Sequence, residues 1–508
     1  MNMRYRRLAA VVAAVTALAL GGCSSTGDTG PDANKSAIKT LRLPLSTAPG
    51  NFQIGNWPGG EAYMFLSVYD TLVGRGLDGS VVPAVAESWK YSEDQKTLTF
   101  KIREGMTFTD GEPVDANAVV ASLEVARTGP ASASSLTKIA GVEAPDESTV
   151  VLDLSEPDAA LLPILSSNIG GIGSPKVLTD ESSKLKPVGS GPYVIDDAAT
   201  TVGAVYTLKR NPGYWNSKAY PYDTVEFRVI EDPVAQQNAM QAGQLDFVNI
   251  SADQRSQFPE DKFTVGEGTP SGIAALWLID RNGDIIPALK DKRVRQAINM
   301  AFDRSLIAKS LGEGGTYPSN QLVSPRGKVF SEDLLKVNDY DPKQAKALLA
   351  EAGYADGFEM KMPSTALTTT YESAIAQALG DIGITVTWEP IQFQDLFPKI
   401  FAGNYGAYFF YNGLTSNDAQ DLAGSLVGIF NPSNNTSPEL TELMKAANSA
   451  PIEKQADAFR AVNEYLVEDG WAAPIGYTSG FYATTKDVKY TPPLVNGQTV
   501  LPFAPAGS

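Results

Sequence analysis

Histidine does not occur in the 508 residues, and cysteine occurs once, at Cys23. Without imidazole the chain cannot assemble a Ser–His–Asp triad. It also lacks the side chain that nickel, zinc and copper sites draw on most often. A single thiol leaves no intrachain disulfide. Carboxylates remain as ligands for calcium, but no Asp-rich loop has EF-hand spacing, so neither a metal nor a cofactor is expected. Positive charge is short as well: 41 Lys and Arg face 58 Asp and Glu, a net charge of −17. Such a balance repels nucleic-acid phosphates. No apolar run reaches the ~20 residues of a spanning helix. The glycines of "GEGTPSG" (266–272) miss the dinucleotide spacing, and no complete phosphate loop occurs, which excludes ATP hydrolysis by that route.

What is present begins at the N-terminus. Arg4, Arg6 and Arg7 precede an apolar stretch from Leu8 to Leu20, and Gly21, Gly22 and Cys23 follow it. A basic flank, a short apolar run and small residues predict a secretory signal over residues 1–22. Leu20-Gly21-Gly22-Cys23 resembles the bacterial lipobox, in which cleavage leaves the cysteine first and its sulfur acylated. Cys23 is therefore the expected lipid attachment point. Each buried acyl CH₂ is worth ~0.8 kcal/mol, and more than one chain holds a protein to a membrane. Residues 23–37, rich in Ser, Thr, Gly, Asp and Asn, read as a flexible tether. Cleavage removes three arginines, leaving a body of about −20 that stands off anionic lipid.

From residue 38 onward strand and helix signals interleave, which predicts an α/β protein of more than one lobe. "TLTFKIR" (97–103) alternates Leu98, Phe100 and Ile102 with polar neighbours, as a half-buried strand does; "TVVLDL" (149–154) and "VEFRVI" (225–230) are further strands. Asp232-Pro233 and Asp341-Pro342 open helices that Gly243 and Gly353 close. "DKRVRQAINMAFDR" gathers Val294, Ala297, Ile298, Ala301 and Phe302 on one face. Arg293, Arg295 and Arg304 are expected to pin loops or helix ends, Asp110-Gly111 to turn, and Trp89, Leu98 and Phe100 to lie in the core.

Several of these segments, in order, resemble the family 5 solute-binding proteins of bacterial ABC importers, the peptide- and nickel-binding type. The densest match runs from "YDTLV" at Tyr69 through "VVPAVAESWKYSEDQKTLTFKIREGMTFTDGEPVDANAVVASLE". "GSGPY", "NPGYWNSKAYPYDTVEFRVIEDPVAQQNAMQAGQLDF", "KDKRVRQAINMAFDR", "YDPKQAKALLAEAGY" and "ITVTWEPIQFQDLFPKIFAGNYGAYFF" extend it. The resemblance implies a two-lobed periplasmic-binding-protein-like clamp with an extra subdomain on lobe I. Lobe I would comprise 38–74, 186–270 and 478–508, the subdomain 75–185, and lobe II 271–477. It also implies hinge closure on a solute, permease and ATPase partners, a monomeric receptor without enzymatic activity, and a lipid-anchored place on the extracytoplasmic face of the cell membrane.

The ligand is less sharply drawn. In peptide-binding relatives a carboxylate within a Gly-Trp-x-Ala-Asp-Tyr-like segment of lobe II holds the peptide ammonium. The corresponding stretch here, "YFFYNGLTSNDAQDLAGSL" (408–426), lacks that tryptophan and offers Tyr411, Asn412, Thr415, Ser416 and Asn417. Asp418 and Asp421 follow as substitutes. A buried ammonium left without its partner costs several kcal/mol. Trp57, in "IGNWPGGEAY", and Trp277, in "GIAALWLIDRNG", would suit sugar rings, whereas Trp388 reads as packing and Trp215 as scaffold. The expected ligand-binding set is therefore Trp57, Trp277, Tyr411, Asn412, Asn417 and Asp418. The expected solute is a small peptide, with an oligosaccharide as the alternative. A rival class is an enzyme of the Ser-x-x-Lys type. Both Ser135–Lys138 and Ser36–Lys39 match that spacing, and Ser433-Asn434-Asn435 supplies a Ser-x-Asn, but no Lys-Thr-Gly completes the set. A sensory or adhesive surface protein with the same clamp is the third reading.

Overall fold

In the computed structural model the described residues are 39–56, 62–312, 315–415, 417–494 and 499–507. The expected signal and tether (1–37), with Cys23, and the loop residue Trp57 lie outside them.

Where apolar and polar residues alternate, strands form. Thr97–Ile102 buries Leu98, Phe100 and Ile102 and exposes more of their neighbours. It pairs antiparallel with Ala86–Tyr91 and Thr149–Leu154, and Ile139–Asp146 completes a four-stranded sheet. A second four-stranded sheet orders Thr40–Leu45, Thr224–Val229, Val205–Arg210 and Tyr193–Ile195, with only the first pair parallel. Most of the buried apolar residues of both sheets belong to one core that includes Leu41, Phe65, Phe100, Leu123 and Phe227.

The capping grammar is equally visible. Asp232 accepts from the Ala235 N–H (2.7 Å) at the start of Pro233–Gln241, and Asp341 accepts from the Gln344 N–H (2.8 Å) at Pro342–Glu351. Each bond satisfies a backbone donor that the first helical turn leaves free. Gly353, at φ +90°, ends the second helix in a conformation that side chains disfavour. Lys292–Met300 turns Val294, Ala297 and Ile298 inward. Arg293 binds Asp291 and the Glu351 carbonyl, Arg295 binds Asp469, and Arg304 binds the Pro474 carbonyl.

Two long strands, Phe263–Leu278 and Ala472–Thr485, pair antiparallel along most of their length. At one end Phe263 and Phe481 pack with Phe258 and Val248. At the other, Ala274, Leu276 and Leu278 face one core cluster while Ile273, Ala275 and Trp277 face another. Ala407–Gly413 pairs on one flank of this sheet and Thr316–Pro318 adds to Ala472–Thr485. Gly476 lets the Tyr317 carbonyl approach closer than a Cβ would permit. The ladder shifts register between Glu267 and Pro270, and again between Pro270 and Gly272. A bulged ladder has fewer hydrogen bonds to lose on bending, and these shifts lie between the two ends of the paired strands. The architecture is mixed α/β, with the fold of the two-lobed periplasmic binding proteins.

Candidate ligand cavity

A cavity of about 560 Å³ opens where separate parts of the chain meet. Leu66, Tyr69, Asp70 and Arg75 form one side, Ser166 and Asn168 a second, and Tyr214, Trp215 and Tyr220 a third. Pro493, Thr499 and Leu501 come from the C-terminal segment, and Thr415 and Gln420 add a further part of the lining. The size suits a small organic solute, and the mixture of aromatic faces with a few polar groups is typical of such sites.

Among the described lining residues Asp70 is the one carboxylate, 6% exposed. It accepts hydrogen bonds from Tyr214 Oη (2.9 Å), Trp215 Nε1 (3.2 Å) and Ser190 Oγ (3.5 Å). Burial pushes its carboxyl up to about 7, although those three donors and the charge of Arg103 pull it down. Desolvation wins because neutral donors stabilise a buried anion less than a contacting cation does. Arg103 stands on the Trp215 ring, 4.1 Å from its centroid, a cation–π contact that fixes the indole plane. Across the cavity wall Arg75 donates from Nε to Ser166 Oγ (2.9 Å) and from Nη2 to the Pro163 carbonyl. Burial lowers its guanidinium to about 10.

The opposing wall is built on the turn after Ala407–Gly413. Asp421, 3% exposed, accepts the Thr415 N–H at 2.7 Å. Burial pushes its carboxyl up to about 7, and the nearby Asp418 adds to the rise. Asn417 caps the helix Asp418–Gly424 by accepting the Gln420 N–H (2.9 Å). Its own N–H goes to Thr415 Oγ1 at 3.2 Å.

The residues expected from sequence to bind ligand fall mostly behind this surface. Trp277 does not line the cavity: it is fully buried, its ring is 4.1 Å from Phe430, and Nε1 donates to the Phe410 carbonyl. Both faces of its strand are covered, so either side-chain parity leads into core. Tyr411 lies edge-on to Tyr371 and Phe409, and Asn412 donates to Ser425 Oγ at 3.2 Å. Asn417 is a helix cap, and Asp418 accepts the Val329 N–H (3.1 Å) from a neighbouring loop. None of these five is among the described lining residues. Two other residues of the same segment, Thr415 and Gln420, line the cavity. Trp215, read from sequence as scaffold, reaches the cavity. Its position two residues after Pro212-Gly213, at a turn, was the one available signal. Among the described residues no group of three or more His, Cys, Asp or Glu is placed to hold a metal ion, and no helix is long and apolar enough to cross a membrane.

Comparison with known proteins agrees with this geometry. A putative ABC transporter peptide-binding protein of Brucella ovis is 28% identical over 424 residues, covering 76% of this chain and 78% of that protein. The solved structure of HbpA2 from Haemophilus parasuis superposes with a TM-score of 0.79 at 20% identity, over 92% of this chain and 99% of the other. The binding protein AgaA of A. tumefaciens R10, solved with agropinic acid, gives 0.70 at 26% identity over 92% and 99%. The profile of bacterial extracellular solute-binding proteins, family 5 (Middle), matches residues 80–434, and the chain belongs to that family.

Proposed function

We propose that the protein is the extracytoplasmic substrate-binding component of an ABC importer, tethered through an acylated Cys23. It takes a small peptide-type solute into the cavity and presents it to a permease driven by its ATPase. Membership of a solute-binding family, and not of an enzyme family, supports a receptor without catalysis. The observation that carries the reading is a cavity of small-molecule size whose walls join segments far apart in the chain, from Leu66 and Asp70 through Trp215 and Thr415 to Leu501. A solute touching Asp70 on one side and Thr415 on the other favours the closed clamp, and that difference in affinity is what shifts the population. The peptide-binding relative from Brucella supports the peptide class.

A second reading, an oligosaccharide as solute, has its own support. Trp215 is 37% exposed and, with Tyr69 and Tyr220, gives the cavity aromatic faces on which sugar rings can stack. Native mass spectrometry of the purified chain, followed by thermal-shift screening with peptide and oligosaccharide panels, separates the two. A bound mass that matches a panel compound, and a melting temperature that rises with its concentration, are the expected results. Absence of any bound mass together with an unmoved melting temperature across both panels refutes the receptor reading.

A further inference from the structure

The helix Asp418–Gly424 carries a buried carboxylate, Asp421, and a partly buried one, Asp418, and neither is among the described residues that line the cavity. Asp421 holds the Thr415 N–H with Oδ1, and its Oδ2 has no hydrogen-bond partner. Three residues earlier, Asp418 accepts the Val329 N–H (3.1 Å) and lies so close to Gly327 that a Cβ there would collide with the carboxylate. A spacing of three places both on one face of the helix. The loop that Asp418 holds also carries Arg326, whose Nη2 is 3.7 Å from Glu267 Oε1. Glu267 accepts Tyr317 Oη at 2.6 Å as well. Glu267 and Tyr317 lie on opposite sides of the register shifts in the two long strands: Glu267 pairs with Phe481, and Tyr317 with Tyr477.

Resting on the reading of the cavity as the solute site, we propose that this helix links the ligand wall to the contact between the lobes. Asp421 positions Thr415, Asp418 positions the Gly327–Val329 loop, and that loop sets Arg326 against Glu267. A solute seated on Thr415 and Gln420 thereby stabilises the Arg326–Glu267 contact, and loss of that contact loosens the solute's wall. Both carboxylates act through the backbone they hold and are positioning residues. Such a link is defined by an effect at one end when the other is changed, and it is reciprocal.

Hydrogen exchange on the full chain tests it, read in the segments 411–417 and 326–331. Asp421→Ala is expected to speed exchange at least tenfold at the Thr415 amide and at least twofold in 326–331. Asp421→Asn, which keeps an acceptor of the same shape, is expected to restore most of both. Glu267→Ala, at a half-exposed position that leaves both cores intact, is expected to speed exchange in 411–417. Faster exchange confined to the mutated end, or no difference between Asn and Ala at position 421, overturns the link. Strand Thr97–Ile102 serves as the internal standard; if it too exchanges faster in Asp421→Ala, Glu267→Ala alone decides. Adding the tripeptide Ala-Ala-Ala keeps the two ideas apart. Cross-effects between the variants without protection by the tripeptide count against the peptide reading and leave the link standing.

Discussion

Replacing Asp70 by asparagine isolates the cost of a buried acid in the cavity wall. The carboxyl rises from 3.8 to about 7 because burial outweighs its three hydrogen bonds. A folded form that keeps its proton longer than the unfolded chain is favoured in acid. The contribution is complete below pH 3.8 and is lost as pH climbs through 7. A shift of about 3 units at 1.36 kcal/mol each amounts to roughly 4 kcal/mol over the whole range, of which about 2–3 kcal/mol falls between pH 5 and pH 8. Asparagine does not titrate. It also loses part of the bonding to Tyr214 and Trp215, at a cost of about 1–3 kcal/mol that does not depend on pH. The variant may be compared with the parent at each pH, so other titrating groups cancel. Urea unfolding at pH 5 and pH 8 should therefore show the variant gaining roughly 2–3 kcal/mol on the parent as pH rises. A difference between the two proteins that stays constant within about 0.5 kcal/mol refutes the assignment of a raised acid to Asp70.

Other outcomes follow from the same contacts. Trp277→Ala empties a site enclosed by Phe430, Tyr408 and Ile273; it should cost about 3–5 kcal/mol in urea unfolding, and a loss under 1 kcal/mol would contradict its burial. Asp469→Ala leaves Arg295, 2.7 Å from it in the parent, as an uncompensated buried cation. The expected loss is about 3–5 kcal/mol, with Arg295→Met and Asp469→Leu together recovering most of it in the same assay. Cys23→Ser should move the protein from the membrane fraction to the medium, and an intact mass without added acyl chains is the check. Retention of the serine variant in membranes would refute lipid anchoring at that thiol.

How far the site could be read in advance depends on the range of the interactions that make it. Caps and strands rest on neighbours: Asp232 and Ala235, Leu98 and Phe100. The cavity does not. Asp70 meets Tyr214 and Trp215 across some 145 positions of chain, and Thr415, still further along the chain, lines the same cavity. Trp277 and Trp215 show the difficulty. Each tryptophan lies beside a turn or strand that would suit a ligand wall, and only the packing of distant segments puts one in the core and the other in the cavity.

The order of residues alone determined the local elements, the family, the absence of histidine-based chemistry and the expectation of a lipid-bearing Cys23. These depend on short-range backbone preferences and on which functional groups exist at all. The tertiary structure decided which side chains line the cavity, why burial pushes the Asp70 and Asp421 carboxyls up to about 7, and which distant segments touch. Those properties belong to burial and to contacts between remote segments, and neither exists until the chain has folded.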